Sequence, residues 1–376
     1  MDVLQGTKII IDKNLSKDND DAFFVLDIEE VKRKYEYWIQ KIPRVVPYYA
    51  VKSNDDVRVM KLLKDLGAGY DCASKKEISQ ILDLNVNPNR IIYSNTIKQV
   101  SHIKYSAEKG IDKITFDSAP ELVKIKQHYS NAKVVLRIFN LGLKFGCNHE
   151  TEAPKLIKLC KELDMNLIGL SFHIGSFTND HTVYERAFET TRKLFDYAET
   201  FGMKLYFIDI GGGFAGKDLS IFENYATSIN AGIEKYFSLN DVEIISEPGR
   251  FFVDTAFSVA SQVILKKPSE DGQIYYYINE SIYMSFLTMF LYKENLKFSV
   301  IRKTKTEHEP KELLSTIWGC TCNSMDKIIG NRMMTEVEMG DWLLFFNMGD
   351  YTTTTTTKFN GFKNVNVYSF EDIENL

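Results

Sequence analysis

The residue of this chain with the clearest capacity for covalent chemistry is Lys52, which directly follows the apolar run Pro47–Val51. Such a run is typical of a buried strand, so a lysine at its end can face a ligand instead of bulk water. An apolar enclosure disfavours the ammonium ion, and the neutral amine can attack a carbonyl to form a Schiff base. A strand-end lysine that extends its charged end to solvent is the alternative interpretation.

A glycine triplet supplies the second chemical feature. Gly211, Gly212 and Gly213 follow the strand-like run Leu205–Ile210. Backbone without Cβ atoms can approach an anion closely and offer it N–H groups. The triplet lacks the GxGxxG spacing of a dinucleotide turn, so it indicates either a phosphate site or a turn that binds nothing.

A carboxylate and a guanidinium lie three positions apart at Glu247 and Arg250, with Gly249 between them. The two groups could form only a local salt bridge. As ligands they have different partners, because a carboxylate keeps a pyridine nitrogen protonated and arginine binds phosphate with fixed geometry. His173 could stack on a planar ring, although a lone strand histidine is also typical of a hydrogen-bonded core. A Schiff base, a pyridine and a phosphate together describe pyridoxal 5′-phosphate (PLP).

The elements that must position these residues alternate between two types. Short apolar runs rich in β-branched residues are separated by segments with helical spacing, such as Val57–Leu66. This alternation implies parallel strands with right-handed crossovers, and a count of eight predicts a closed TIM (β/α)8 barrel. Catalytic residues lie at the C-terminal strand ends of that fold. The eight predicted strands are 44–52, 69–74, 91–95, 114–117, 134–138, 167–176, 205–213 and 242–250.

Several motifs taken together resemble a known family, the barrel-fold PLP decarboxylases of ornithine, arginine and diaminopimelate, and in particular its eukaryotic-type ornithine decarboxylase branch. The resemblance runs from about Phe24 to the end of the chain. It implies conversion of L-ornithine to putrescine in polyamine biosynthesis. The motifs are PYYAVKSN, GAGYDCASKKEI, RIIYSNTIKQ, TFDSAPEL, SFHIGS, DIGGGF, SEPGRFF, WGCTCNSMD, GDWLLFFNMGDYT and FNGF.

The resemblance also implies roles for individual residues. Lys52 would form the Schiff base, His173 would stack on the cofactor ring and Glu247 would pair with its pyridinium nitrogen. Cys322 would donate a proton from the neighbouring subunit, so a homodimer with shared active sites is expected. The remaining cofactor-binding residues would be Asp71, Glu77, Arg137, Ser176, Gly211, Gly212, Gly213, Gly249, Arg250 and Tyr351.

The domain organisation changes near Phe257, where helical periodicity fades and strand-like runs replace it. We expect an N-terminal segment (1–23) that packs with the β domain, a PLP-binding barrel (24–256) and a C-terminal β domain (257–376). The resemblance implies the alanine racemase-like PLP fold for this arrangement. The predicted strands of the second domain are 259–265, 274–278, 314–318 and 342–346.

The substrate-binding residues implied by the resemblance depart from the family pattern. Where the family has a diamine-binding aspartate, this chain has Tyr292 or Lys293, and Glu294 is an alternative carboxylate one position further on. Asn323 follows Cys322 where the family usually has aspartate, and a neutral amide loses the charge-assisted part of a hydrogen bond. The two implied aromatic contacts of the substrate are Tyr283 and Phe359.

A third departure concerns the segment Phe139–Leu143, which is shorter than the flexible loop that the family places over its site. A less complete lid would admit water more readily. The substrate alternatives are therefore arginine, lysine or a less basic amino acid. A protein of another class, an inactive binding protein like the antizyme inhibitors, is the other hypothesis, although the retained Lys52 and Cys322 favour an enzyme.

Composition fits an enzyme of small molecules. The chain has 376 residues, a net charge of −5 and five cysteines. It lacks the basic footprint of proteins that bind nucleic acid or anionic membranes. The cysteines show neither metal-ligand nor disulfide-framework spacing. We therefore expect no bound metal, and we expect the protein in the reducing cytoplasm. An amino-acid substrate and an antizyme-like regulator are the expected partners beyond the second subunit.

Overall fold

The computed structural model describes residues 2–139, 144–175, 180, 182–239, 241–270, 272–292, 295–304 and 309–375. These residues form two compact units. One unit comprises residues 32–252, and the other combines the chain up to Val31 with the chain from Val253 onward.

The described elements alternate in the first two thirds of the chain and are mostly strands thereafter. The helices are α1 (Val3–Leu15), α2 (Ile28–Lys41), α3 (Val57–Leu66), α4 (Lys75–Asp83), α5 (Val100–Glu108), α6 (Ala119–His128), α7 (Ala153–Glu162), α8 (Val183–Glu199), α9 (Leu219–Tyr236), α10 (Arg250–Val253), α11 (Leu287–Tyr292) and α12 (Phe370–Asn375). The strands are β1 (Phe23–Leu26), β2 (Val46–Ala50), β3 (Gly69–Cys72), β4 (Ile91–Tyr93), β5 (Lys113–Phe116), β6 (Lys133–Ile138), β7 (Asn166–Phe172), β8 (Phe207–Asp209), β9 (Glu243–Ser246), β10 (Phe257–Pro268), β11 (Ile274–Ile278), β12 (Phe298–Ile301), β13 (Glu312–Trp318), β14 (Lys327–Thr335), β15 (Trp342–Phe345) and β16 (Asn366–Ser369).

The first unit contains a closed barrel in which β2 to β9 pair in chain order and β9 pairs back with β2. All of these pairings are parallel, as the alternating pattern predicted, so the expected barrel is confirmed. Apolar side chains fill its interior, as in other eight-stranded barrels. One buried apolar cluster of the barrel consists of Tyr48, Ile92, Val135, Ile168, Phe207 and Ile245.

Local signals in the sequence explain where the crossover helices begin and end. The Asp56 side chain accepts a hydrogen bond from the Arg58 backbone at the start of α3, and Gly67 ends that helix in the left-handed region at φ 104°. At α4, Ser74 caps the Glu77 backbone N–H, while the Glu77 carboxylate accepts from the Ala73 N–H at 2.6 Å. This reciprocal arrangement places β3 and the residues after it in a fixed register with α4.

The second unit is built on an eight-stranded sheet. Its main order is β12-β15-β10-β11-β13-β14, and β1 joins through β10 and also pairs with β16. The expected second, sheet-rich domain is confirmed. Because β1 pairs with β10 and β16 along its whole length, the boundary predicted at residue 24 lies too early in the chain. The sheet core comprises Ile10, Ile11, Phe23, Val25, Ala260, Ile301, Trp342, Leu344 and Ile373.

Four strands of this sheet, β1, β12, β14 and β16, are not among the four predicted for the second domain, and two of them show why. β12 has only four residues, and β14 carries polar or exposed residues at most of its positions. Neither therefore shows the apolar run that predicted the others. The threonine run 352–357, which has good strand propensity, instead contains a single 3-10 turn at Thr353–Thr355. Among the described residues, no helix is both long enough and apolar enough to cross a membrane.

The approach of β7 to β8 generates a stability prediction. A Cβ atom on Gly169 would lie 1.8 Å from the Phe207 carbonyl oxygen. We expect Gly169→Ala to lower the free energy of unfolding by about 3 kcal/mol, because the two paired strands must separate. Urea titration followed by circular dichroism measures this change.

The matched control is Gly330→Ala, since a Cβ there meets only the flexible Lys327 side chain, at 3.1 Å. It should change stability by less than about 1 kcal/mol. Equal effects of the two substitutions would contradict the assigned backbone contact.

Candidate active site

Lys52 lies just beyond the C-terminal end of β2, in a short 3-10 turn. Its Nζ is 2.5 Å from Oδ2 of Asp71, which is buried at the end of β3. The Ser94 hydroxyl donates to the other Asp71 oxygen. The side chain of Lys52 is 43% exposed. The expectation of a mostly apolar enclosure was therefore wrong, because a carboxylate held by a second donor orients the amine instead.

The glycine triplet and His173 meet beyond β8 and β7. Gly212 donates its backbone N–H to Nδ1 of His173 at 3.1 Å, so this nitrogen is the acceptor and the ring proton lies on Nε2. Burial, with the charges of Arg137 and Lys52 nearby, lowers the pKa of His173 to about 4. The histidine is therefore a neutral planar ring at physiological pH.

Two glycines of the triplet occupy positions that exclude a side chain. A Cβ on Gly211 would lie 2.4 Å from the Phe172 carbonyl oxygen, and a Cβ on Gly212 would lie 2.4 Å from that of Glu247. Gly211 and Gly213 also have φ of 69° and 100°. Gly249 is equally confined, with Ser53 Cβ 2.7 Å from its Cβ position. Only glycine lets these backbone segments approach so closely.

Glu247 and Asp209 form a pair of buried carboxylates at the ends of β9 and β8. Burial raises the pKa of Asp209 to about 7, with the nearby Asp71 charge adding to the shift. Burial, and then the negative charge of Asp209, raises the pKa of Glu247 well above its usual value. The backbone N–H of Gly211 donates to Asp209 at 2.8 Å. Among the described residues, Oε1 of Glu247 is buried without a hydrogen-bond partner.

The other barrel residues singled out by sequence lie at the same strand ends. Arg137 is in β6, with its guanidinium carbon 5.4 Å from the centre of the Phe145 ring. Glu77 is in the first turn of α4, where burial raises its pKa and its carboxylate binds the Ala73 N–H. Arg250 begins α10. Ser176 lies outside the described residues.

A second group of predicted residues lies together in the sheet unit. Asn323 Nδ2 donates to the Tyr283 hydroxyl at 2.7 Å, and the rings of Tyr283 and Phe359 are 4.7 Å apart between centres. The backbone N–H of Cys322 donates to the Asn360 side chain at 3.0 Å. The Cys322 thiol is exposed. Four residues predicted to contact the substrate or its carbanion are thus neighbours.

The remaining sheet residues are less closely tied to this group. Tyr351 has a φ of 50°, and its carbonyl oxygen accepts from the Thr288 hydroxyl at 2.6 Å. Tyr292 ends α11 with 63% of its surface exposed. Lys293 and Glu294 lie outside the described residues, as do residues 140–143 of the short segment after Phe139.

Sequence reasoning missed three residues that orient others. Ser94 holds Asp71, Asp209 lies against Glu247, and Asn360 binds the Cys322 backbone. Asp209 carried a usable signal, because it is a lone charge inside the apolar run Leu205–Ile210. Asn360 carried another, since Asn-Gly favours the left-handed conformation that it adopts at φ 55°.

The barrel residues fit PLP on a direct structural test. The unpaired, buried Oε1 of Glu247 is an acceptor that a protonated pyridine nitrogen would satisfy. Lys52 supplies an amine that can form a Schiff base with an aldehyde. A closed parallel barrel with such a site at its C-terminal strand ends defines a class, the barrel-fold PLP enzymes.

Comparison with known proteins narrows the class. The model of the family described as pyridoxal-dependent decarboxylase, pyridoxal binding domain, matches residues 28–254. Ornithine decarboxylase of Rattus norvegicus is 39% identical, over 96% of this chain and 84% of the relative. Antizyme inhibitor 2 of Xenopus laevis is 40% identical, over 94% of this chain and 82% of the relative.

Solved structures agree in fold. Arginine decarboxylase of Paramecium bursaria Chlorella virus, bound to agmatine, has a TM-score of 0.90 at 34% identity, covering 97% of this chain and all of that one. Lysine decarboxylase of Selenomonas ruminantium has a TM-score of 0.87 at 29% identity, covering 99% and 97% of the two chains. The chain belongs to the pyridoxal-dependent decarboxylase family, with the alanine racemase-like fold. It is a PLP-dependent carbon–carbon lyase.

The Asp209–Glu247 pair generates a pH prediction for the cofactor-free protein. The pKa of Asp209 is raised in the folded state, so between about pH 4 and 7 the folded chain holds a proton that the unfolded chain has lost. Stability therefore falls as pH rises through this window. Asp209→Asn removes the titrating group. Between pH 5 and 8, the free energy of unfolding of wild type should therefore fall by about 1 to 3 kcal/mol more than that of the variant.

Urea unfolding at a series of pH values gives both stability curves. Asp65→Asn is the control, because the Asp65 side chain is 71% exposed in the last turn of α3. Its curve should run parallel to that of wild type. Parallel curves for wild type and Asp209→Asn would mean that Asp209 does not titrate abnormally.

Proposed function

We propose that this protein decarboxylates a basic amino acid, with L-ornithine as its leading substrate and putrescine as the product, in polyamine biosynthesis. The observation that carries the proposal is the buried Oε1 of Glu247, which lacks a partner among the described residues at the barrel end that also bears Lys52. The likeness to ornithine decarboxylases over nearly the whole chain supports the choice of substrate.

Each barrel residue then has a defined task. Lys52 holds the cofactor aldehyde covalently, and Asp71, fixed by Ser94, orients its amine. The Glu247 carboxylate would keep the pyridine nitrogen of the cofactor protonated, and the neutral ring of His173 would hold the cofactor ring by packing against it. PLP supplies an electron sink for the carbanion left when CO2 departs. The residues assigned to the phosphate and the rest of the pocket are Gly211, Gly212, Gly213, Gly249, Arg250, Ser176, Tyr351, Glu77 and Arg137.

Proton return to the carbanion is assigned to Cys322. Its thiol is exposed, whereas burial raises the pKa of the neighbouring Cys320 to about 12. A proton donor must be able to reach the substrate. The exposed Cys322 thiol meets this condition better than the more buried Cys320 thiol. We assign Cys322 to the site of the neighbouring subunit, so activity requires a homodimer.

The residues close to Cys322 are assigned to the side chain of the substrate. Tyr283 and Phe359 would contact the aliphatic part, and the Asn323 amide would accept from the terminal cation. An amide binds an ammonium less strongly than a carboxylate, so Tyr292 and Glu294 are assigned to the same region as contributors. Arginine and lysine are the alternative substrates, supported by the arginine and lysine decarboxylases of the same fold.

Location and regulation complete the proposal. We assign the protein to the cytoplasm, as its five cysteines and charge suggested. The likeness to an antizyme inhibitor supports an antizyme-like protein as a regulator. An inactive, purely regulatory role is disfavoured because Lys52 and Glu247 are both present.

A substrate panel tests the chemistry. Purified protein with PLP should release CO2 and putrescine from L-ornithine, and kcat/KM for L-ornithine should exceed that for L-arginine or L-lysine by at least about tenfold. Lys52→Ala is the control and should release neither product. Turnover of only L-arginine or only L-lysine would make that amino acid the assigned substrate in place of L-ornithine. Turnover of none of the three amino acids would overturn the proposed function.

A mixing experiment tests the shared site. Lys52→Ala and Cys322→Ala chains should each be nearly inactive, because each lacks one essential group. If Cys322 acts on the other subunit, equal mixtures should recover about a quarter of wild-type activity, since half the dimers are hybrids with one intact site. The control is a chain that carries both substitutions, which should remain inactive. No recovery would show that both residues act within one chain.

A further inference from the structure

The Cys322 loop, which comprises residues 319–326 between β13 and β14, is held by the hydrogen bonds of two buried carboxylates. The proposed reaction uses neither of them. Glu280 is 0% exposed and Asp326 is 1% exposed. Burial raises the pKa of Glu280 to about 7, with Asp326 adding to the shift. Such groups are costly to bury unless each oxygen accepts a hydrogen bond.

Asp326 fixes the loop at its far end. Its Oδ2 accepts from the Thr321 N–H at 3.0 Å, the Thr321 hydroxyl at 2.6 Å and the Ser281 hydroxyl at 2.9 Å. Its Oδ1 accepts from the Ile282 N–H at 3.0 Å. A Cβ on Gly319 would lie 2.3 Å from both oxygens, so the loop closes tightly around this carboxylate.

Glu280 fixes the facing segment. Its Oε2 accepts from the backbone N–H groups of Ser281 at 3.1 Å and Ser285 at 3.2 Å, and its Oε1 accepts from the Ser285 hydroxyl at 2.8 Å. These bonds close the turn that carries Tyr283. The Glu280 carbonyl oxygen also accepts from the Cys320 N–H at 3.0 Å. One residue thus joins the Tyr283 turn to the Cys322 loop.

We propose that Glu280 is a positioning residue that, together with Asp326, sets the Cys322 thiol relative to Tyr283 and Asn323. This inference rests on the proton-donor role proposed for Cys322. Neither carboxylate touches Cys322 directly. The Glu280 carboxylate acts on the Tyr283 turn through Ser281 and Ser285. Asp326 joins that turn to the Cys322 loop, because it accepts from the Ser281 hydroxyl and the Ile282 N–H of the turn as well as from Thr321 of the loop.

The choice of variants separates hydrogen bonding from charge. Glu280→Ala leaves two N–H groups and one hydroxyl without their acceptor. Glu280→Gln can keep the two N–H bonds through its carbonyl oxygen and donate its amide to the Ser285 hydroxyl, which also accepts. Asp341→Ala is the matched control, because Asp341 is 3% exposed in the same unit and accepts from the Glu338 and Lys303 backbones away from this loop.

Two readouts on the PLP-loaded protein are expected to move together. In Glu280→Ala, kcat should fall at least about tenfold while the PLP dissociation constant stays within about twofold. The rate of Cys322 alkylation by iodoacetamide, followed by mass spectrometry of its peptide, should change at least about threefold. Glu280→Gln should restore both to within about threefold of wild type, and Asp341→Ala should leave both unchanged.

The outcomes distinguish this inference from the proposed function. Alkylation of Cys322 needs no turnover, so it tests the positioning role even if the protein decarboxylates none of the substrates. An unchanged alkylation rate in Glu280→Ala would overturn the inference, as would an equal loss in Asp341→Ala or in Glu280→Gln. If Glu280→Ala does not fold, Ser285→Ala removes only the hydroxyl donor and should shift the same two readouts in the same direction.

Discussion

The close approach of β7, β8 and β9 is the constraint on which the barrel site depends. Gly169 lets the backbone of β7 reach Phe207, while Gly211 and Gly212 let the segment after β8 pack against the carbonyl oxygens of Phe172 and Glu247. Any side chain at these points would separate the strand ends. Because His173 directly follows β7 and Asp209 ends β8, their mutual positions follow from backbone contact and need no contact between their side chains. This is a rigid support for groups whose tasks need fixed geometry.

Both units bury carboxylates at their functional residues and stabilise them in different ways. In the barrel, the negative charge of Asp209 disfavours ionisation of Glu247, and Oε1 of Glu247 has no hydrogen-bond partner among the described residues, a cost that a cationic ligand would relieve. In the sheet unit, Glu280 and Asp326 are saturated by neutral N–H and O–H donors. The first arrangement is that of a binding site, since one acceptor remains available. The second is that of a scaffold, since all four carboxylate oxygens already accept hydrogen bonds from the turn or the loop.

The sequence predicted the barrel because its strands are buried on both faces and read as continuous apolar runs ending in polar residues. It also located Lys52, His173 and Glu247, since a lone polar residue after such a run stands out. The environment of Lys52 was not predictable, because Asp71 and Ser94 come from two other strands. Nor were β12 and β14, because an exposed sheet strand has no apolar run to mark it. Register across strands, which brings distant residues together, is a property of the fold that local pattern does not contain.

The division of chemistry between the two units gives a reason for the neutral Asn323. An aspartate there would add a third carboxylate to a loop that already buries Asp326 beside Glu280 and whose described hydrogen bonds to both come from neutral donors. Mutual repulsion would raise the cost of keeping the loop closed. The amide avoids that charge, and it also donates to the Tyr283 hydroxyl, which a carboxylate cannot do. The Asn323–Tyr283 hydrogen bond joins the Cys322 loop directly to the Tyr283 turn. The proposed function assigns the terminal cation of the substrate to this same side chain, which would couple the geometry of the loop to the charge of the substrate.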